Sequence, residues 1–169
     1  MGGGLAAALA AMVICLAQKI PSARAVKIIA AVSAGFITAA SLLLWILIFE
    51  NDFSVEYVAA YSSTTLPTIY KISAFWAGQQ GSFLLWLLIH AITGAVLTFR
   101  RTTAAALGIY FLMQSVLVFL VLAKSPFAEN SAQVFEGVGL NPLLQDFWMA
   151  IHPPIIFLGY ALLAVPFAL

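Results

Sequence analysis

The residues with chemistry beyond packing are few: two histidines, one cysteine and four tryptophans. His152 stands directly before Pro153-Pro154. Proline drives the residue before it out of the helical region. Upstream, Asn141-Pro142 carries a helix start, with asparagine as N-cap and proline at the first helical position. The pattern predicts a short helix from Pro142 to Ile151, too short to span a bilayer, and a second helix opening at Pro153. His152 then sits at a rigid corner. Such a histidine serves as a structural cap, as a proton relay with Asp146 as the nearest acid, or as a metal or haem ligand, since neutral imidazole ligates both. Residue chemistry alone leaves these three open.

His90 lies in an apolar run with no acidic or histidine partner and reads as a neutral packing residue. Cys15 is the lone cysteine, so no disulfide closes within the chain and no CxxC motif exists; its apolar setting suits an inert buried thiol. A second cluster gathers Trp76, Gly78, Gly81 and Trp86. Each glycine weakens a regular helix by about 1 kcal/mol relative to alanine. Either the tryptophans form an aromatic belt around an interfacial kink, or the four residues make a flat ligand-facing ledge. In the second reading, glycine permits close approach and indole offers a stacking face.

The elements that position these residues are membrane helices. Of 169 residues, 64% are apolar and only 8% are charged. That excludes a soluble domain, which needs a polar surface, and a disordered one, which cannot leave so much apolar area wet. Seven Lys/Arg against six Asp/Glu give a net charge of +1, with no basic patch for nucleic acid. A single membrane domain over 1–169 is expected. Its spans are placed at about 4–17, 28–49, 72–99, 103–123 and 154–169, with short interfacial helices in two longer loops. The last run ends without a polar flank, which suggests a fragment or one piece of a split protein. Lys19, Arg24, Lys27, Arg100 and Arg101 fill the two tight connections, while Glu50, Asp52, Glu56, Glu129, Glu136 and Asp146 dominate the longer loops. Basic residues mark the cytoplasmic side. Both long loops, and the N-terminus, are therefore predicted outside.

Three ordered motifs carry a resemblance. They are DFSVEYVAAYSS (Asp52–Ser63), LPTIYKISAFWAGQQGSFLLW (Leu66–Trp86) and GLNPLLQDFWMAIHPPIIFLGYALLAVPFA (Gly139–Ala168). Together they resemble the N-terminal part of the CcmF family, subunits of the cytochrome c haem lyase in the haem-handling superfamily that includes CcmC and CcsA. The resemblance implies that His152, in the HPP motif, is an axial ligand to the iron of haem b on the outer membrane face. Trp76, Gly78, Gly81 and Trp86 would be the haem-facing ledge. It also implies cytochrome c maturation: haem is held for attachment to the CxxCH thiols of apocytochrome c, which is the substrate. The implied partners are the remaining CcmF-like spans or a C-terminal partner subunit, a haem chaperone, apocytochrome thiol-handling subunits and membrane lipid. The implied location is a plasma (inner) membrane or a mitochondrial inner membrane. A paralogous lyase for nitrite-reductase cytochrome matches equally, and a structural or transport subunit that binds no haem is the other reading. The family's second outer histidine, its transmembrane histidine pair and its tryptophan-rich WWD segment are not in this chain, so no thioether-forming activity is expected from it alone. His90 matches no family ligand. Gln80 stands where family members carry an acid, and Phe147-Trp148 replace a Pro-Gly pair, which implies a longer, less kinked helix there.

The orientation is testable by cysteine labelling from outside intact cells. Ser131→Cys reacts and Ser22→Cys does not if the basic loops are cytoplasmic; the opposite pattern reverses the topology.

Overall fold

A computed structural model describes residues 23–100, 102–131 and 133–169. The helices in order are α1 (Ala23–Glu50), α2 (Glu56–Tyr61), α3 (Thr68–Ala74), α4 (Gln79–Leu97), α5 (Ala104–Ala123) and α6 (Phe147–Ala168). A single 3-10 turn, Pro142–Leu144, precedes α6. Four of these helices, α1, α4, α5 and α6, are long and apolar enough to cross a membrane. The expected span over 4–17, with Cys15, lies outside the described residues. The chain is an all-helical membrane protein; among the described residues the only extended pairing is one isolated bridge, Val55 with Glu129.

α4 is the central helix and packs against α1, α5 and α6. Its buried side includes Leu84, Leu87, Ala91 and Gly94, spaced three and four apart as a helix face requires. A Cβ on Gly94 would stand 3.0 Å from the Tyr110 ring, so glycine lets α4 and α5 approach closely. Large apolar side chains such as Phe36, Phe119 and Leu163 point outward, as lipid-facing positions do.

One span over 72–99 was expected, but the helix breaks between Ala74 and Gln79. The remaining 19 residues of α4 still cover the hydrocarbon thickness, at about 1.5 Å each. The break is held by Tyr57 from α2. Its buried hydroxyl lies 3.0 Å from the Ala74 carbonyl and 2.9 Å from that of Phe75, and accepts from the Gly78 N–H at 3.1 Å. Burial pushes the Tyr57 hydroxyl well above the usual phenol range, so it stays protonated and donates. Both glycines answer to this contact. A Cβ on Gly78 would strike the Tyr61 ring, and one on Gly81 would overlap the Phe75 carbonyl and the Tyr57 hydroxyl.

α6 departs further from expectation. It begins at Phe147 and runs through His152-Pro153-Pro154 without interruption, where a break and a start near Pro154 were expected. The short surface helix expected from Pro142 to Ile151 reduces to the 3-10 turn, which Asn141 does cap, accepting from the Leu143 N–H at 2.9 Å. Asp146 supplies the real helix start: its Oδ1 accepts from Trp148 N–H at 2.9 Å and from Met149 N–H at 3.3 Å. α6 holds three prolines, and Pro153 and Pro154 near its start delete two N–H donors. Pro154 would have bonded the Ala150 carbonyl, and the Trp76 indole N–H takes that carbonyl instead, at 2.9 Å. Membrane helices tolerate proline where neighbours re-satisfy the freed groups in this way.

Tyr57→Phe removes the hydroxyl at the α3–α4 break, leaving the Phe75 carbonyl without its donor and the Gly78 N–H without its acceptor, a cost of about 1–3 kcal/mol. A lower melting temperature in lipid nanodiscs is expected; an unchanged melt would show that the break holds without Tyr57.

Candidate functional site

Successive spans run antiparallel, so the end of α1, the start of α4, the end of α5 and the start of α6 share one end of the bundle. The two long loops meet there. Backbone hydrogen bonds tie them: Glu56 N–H to Ala128 O at 2.8 Å, Asn130 N–H to Ser54 O at 2.7 Å, Val138 N–H to Ala59 O at 2.7 Å and Gly139 N–H to Ser62 O at 3.0 Å. Gly137 has no room for a side chain, since a Cβ would overlap the Ser62 carbonyl. Gly139, at φ +82°, occupies backbone space that glycine favours. The Glu136 carboxylate adds a side-chain tie, accepting from the Thr64 hydroxyl at 2.6 Å and the Thr64 N–H at 2.9 Å.

Against this platform lies an open crevice of about 230 Å³ between the α3–α4 break and the start of α6. Trp76 forms one wall and His152 with Pro153 the other, with Leu140, Leu144 and Met149 as apolar lining. Ser73 and Ser82 also line it, their hydroxyls donated to the Tyr70 and Trp76 carbonyls. The His152 imidazole is exposed, and no hydrogen bond from the described residues engages it. Asp146, the acid considered as its partner, is committed to capping α6. His152 therefore sits in the second turn of a continuous helix and not at a corner between two.

The other candidates are placed elsewhere. Gly78 and Gly81 are buried and face Tyr61 and Tyr57, so they serve close packing beneath the crevice instead of forming its floor. Trp86 lies beside α6, with ring centroids 6.0 Å from Phe157 and 5.5 Å from Tyr160, and lines a separate, mostly apolar cavity of about 250 Å³ with His90. His90 is stacked on Tyr110 at 4.0 Å, with Nε2 3.3 Å from the Tyr110 carbonyl, and Tyr110 donates back to the His90 carbonyl at 3.2 Å. That is a packing arrangement. No group of three His, Cys, Asp or Glu among the described residues is arranged to hold a metal ion. Leu140, Leu144 and Met149 went unmarked in the sequence because apolar residues in an apolar chain carry no signal. The bond from Trp76 to Ala150 did leave one, since a proline always frees the carbonyl four residues earlier.

The family model described as "Cytochrome C assembly protein" matches residues 76–169, more than half of the chain. The chain belongs to the cytochrome c assembly protein family. The match begins at Trp76 and runs past His152, so it takes in both walls of the crevice. Among the relatives in this family, CcmF of Pseudomonas aeruginosa is 39% identical over 127 residues, covering 70% of this chain and 19% of its own. CcmF of Escherichia coli is 39% identical over 126 residues, covering 70% and 20%. NrfE of Haemophilus influenzae, also a cytochrome c-type biogenesis protein, is 37% identical over 126 residues, again 70% and 20%. A solved structure titled "Cytochrome c Heme Lyase CcmF" superposes with a TM-score of 0.75 at 24% identity, over 98% of this chain and 27% of the other. That likeness establishes the fold. The chain spans about a fifth of the length of the curated relatives it matches.

Glu136 gives the platform a pH signature. Hydrogen bonds from the Thr64 hydroxyl, then from the Thr64 N–H, hold its carboxyl below the usual carboxylate range. A depressed pKa means that the tie is fully present above the unfolded value and is lost as pH falls through the folded one. Hydrogen exchange at the Thr64 amide, corrected for intrinsic rate, should stay protected down to the usual carboxylate range and rise below it. Glu136→Ala should exchange fast throughout; equal protection in the variant would remove Glu136 from the platform.

Proposed function

We propose that this chain is the haem-holding N-terminal portion of a cytochrome c maturation machine, with His152 as one axial ligand to haem b. The observation that carries this reading is the crevice. Two segments distant in sequence bring an unengaged imidazole and a tryptophan wall together at one open, mostly apolar site. The lining fits one face of a haem: an imidazole with no hydrogen-bond partner among the described residues, and aromatic and aliphatic side chains around it. It does not fit both faces. The only other histidine, His90, is packed against Tyr110 elsewhere in the bundle, so a second histidine for haem would have to come from another segment or subunit.

Haem, when bound, supplies the iron that His152 ligates and the vinyl groups that react with apocytochrome c thiols. This chain's part is to present the imidazole on a rigid helix, wall the site with Trp76 and the apolar residues, and leave one side open to the substrate. Trp86 stands apart from that site and is assigned to packing beside α6, and the two glycines support it from below. The partners are the further spans that the relatives possess, a haem chaperone, the thiol-handling subunits and apocytochrome c itself. Ligation activity belongs to the assembled complex. The basic residues of the tight connections support a crevice on the outer face of a plasma (inner) or mitochondrial inner membrane. The similarity to NrfE, nearly as strong as that to CcmF, supports the nitrite-reductase branch as a second reading of the same chemistry.

His152→Ala, in the complex purified from native membranes, should lose the histidine-ligated haem spectrum and the maturation activity while accumulating normally. Free imidazole should partly restore the spectrum. Reduced protein level with an unchanged haem spectrum in what remains, and no response to imidazole, would falsify the ligand assignment and favour a subunit that binds no haem.

A further inference from the structure

We infer that Trp76 positions His152 through its indole N–H, by holding the Ala150 carbonyl that Pro154 leaves without an intrahelical partner. Residue 154 of a regular helix would donate to residue 150, and proline has no N–H to give. In its place the Trp76 Nε1–H reaches Ala150 O at 2.9 Å. Ala150 and His152 share one helical turn, so a restraint on that carbonyl is a restraint on the histidine's backbone. The donor is itself fixed. Ser82 Oγ donates to the Trp76 carbonyl at 2.9 Å, and the Trp76 N–H donates to Ser73 O at 3.1 Å. Its neighbour Phe75 is fully buried against Trp45, at 4.4 Å between ring centroids. A tryptophan that only anchors the chain at the lipid headgroups would leave its N–H turned to them. Here the N–H is bonded to protein.

The role is a positioning one and rests on the reading of His152 as a haem ligand; the bond itself does not. The sequence pair that produces it, an indole donor at 76 and a proline at 154, makes a specific form of coupling. Phenylalanine at 76 keeps the ring and removes the N–H. Alanine at 154 restores an N–H from within the helix and makes the indole donor dispensable.

The test is a double-mutant cycle of Trp76→Phe and Pro154→Ala in the full polypeptide with its native membrane partners. It is read first by thermal unfolding of haem-depleted protein in nanodiscs. Trp76→Phe should lower the melting temperature on the Pro154 background and have little effect on the Pro154→Ala background. The second readout is haem retention and the axial-ligand spectrum. Trp76→Phe should retain haem about tenfold less tightly, the effect of one lost buried hydrogen bond, and the double variant should recover it. If Trp76→Phe fails to accumulate, recovery of accumulation in the double variant reads the same coupling. Equal effects of Trp76→Phe on both backgrounds would overturn the inference. A coupling seen in the melts, with a His152→Ala spectrum unchanged from wild type, would instead overturn the ligand reading and leave the bond standing.

Discussion

Wherever a membrane helix stops early or carries a proline, backbone carbonyls lose their N–H partners. In surroundings poor in water each buried loss costs about 1–3 kcal/mol. This bundle meets that problem twice at the same end, at the break between α3 and α4 and at the Pro153-Pro154 pair of α6. It answers both times with an aromatic donor from elsewhere in the chain. Tyr57 covers Phe75 and shares Ala74 with the Ala77 N–H, and Trp76 covers Ala150. The two solutions are joined, because the segment that Tyr57 holds in place is the one that presents Trp76. The Trp45 indole is a further aromatic donor, to the Ile72 carbonyl at 3.3 Å, which the Phe75 N–H also reaches at 3.4 Å.

From this follows the shape of the site. Because the break is held rigidly, Trp76 projects toward α6 instead of continuing a helix face. Because α6 stays continuous, His152 faces the same crevice. The loops add a floor of backbone hydrogen bonds, so the end of the bundle that bears the site is also its most extensively cross-tied region outside the helices. Glycine matters here as absent volume. At Gly78, Gly81 and Gly137 a single added carbon would collide with a tyrosine ring or a carbonyl.

Much of this was legible beforehand. Span-length apolar runs, the charge contrast between tight and long loops and the Asn141 cap all follow from local pattern. What local pattern could not reach was pairing across distance. The rule that proline ends the preceding helix is a statement about an isolated chain; Asp146 as a cap and Trp76 as a substitute donor outweigh it in the folded one. Glycines beside tryptophans look like an open ledge until Tyr57 and Tyr61 are placed against them. Trp86 sits ten residues after Trp76 and yet faces a different cavity, because the intervening break resets the helical phase. His90 read as packing and is packed.

An uninterrupted α6 has a mechanical meaning. A hinge at the prolines would have isolated the crevice from whatever happens deeper in the bilayer. A single rod from Phe147 to Ala168 does not. With side chains carried about 6 Å from the axis, a twist of about 10° applied at the far end displaces an imidazole by about 1 Å. The lower half of this helix, with most of its residues exposed, is thus continuous with the turn that carries His152.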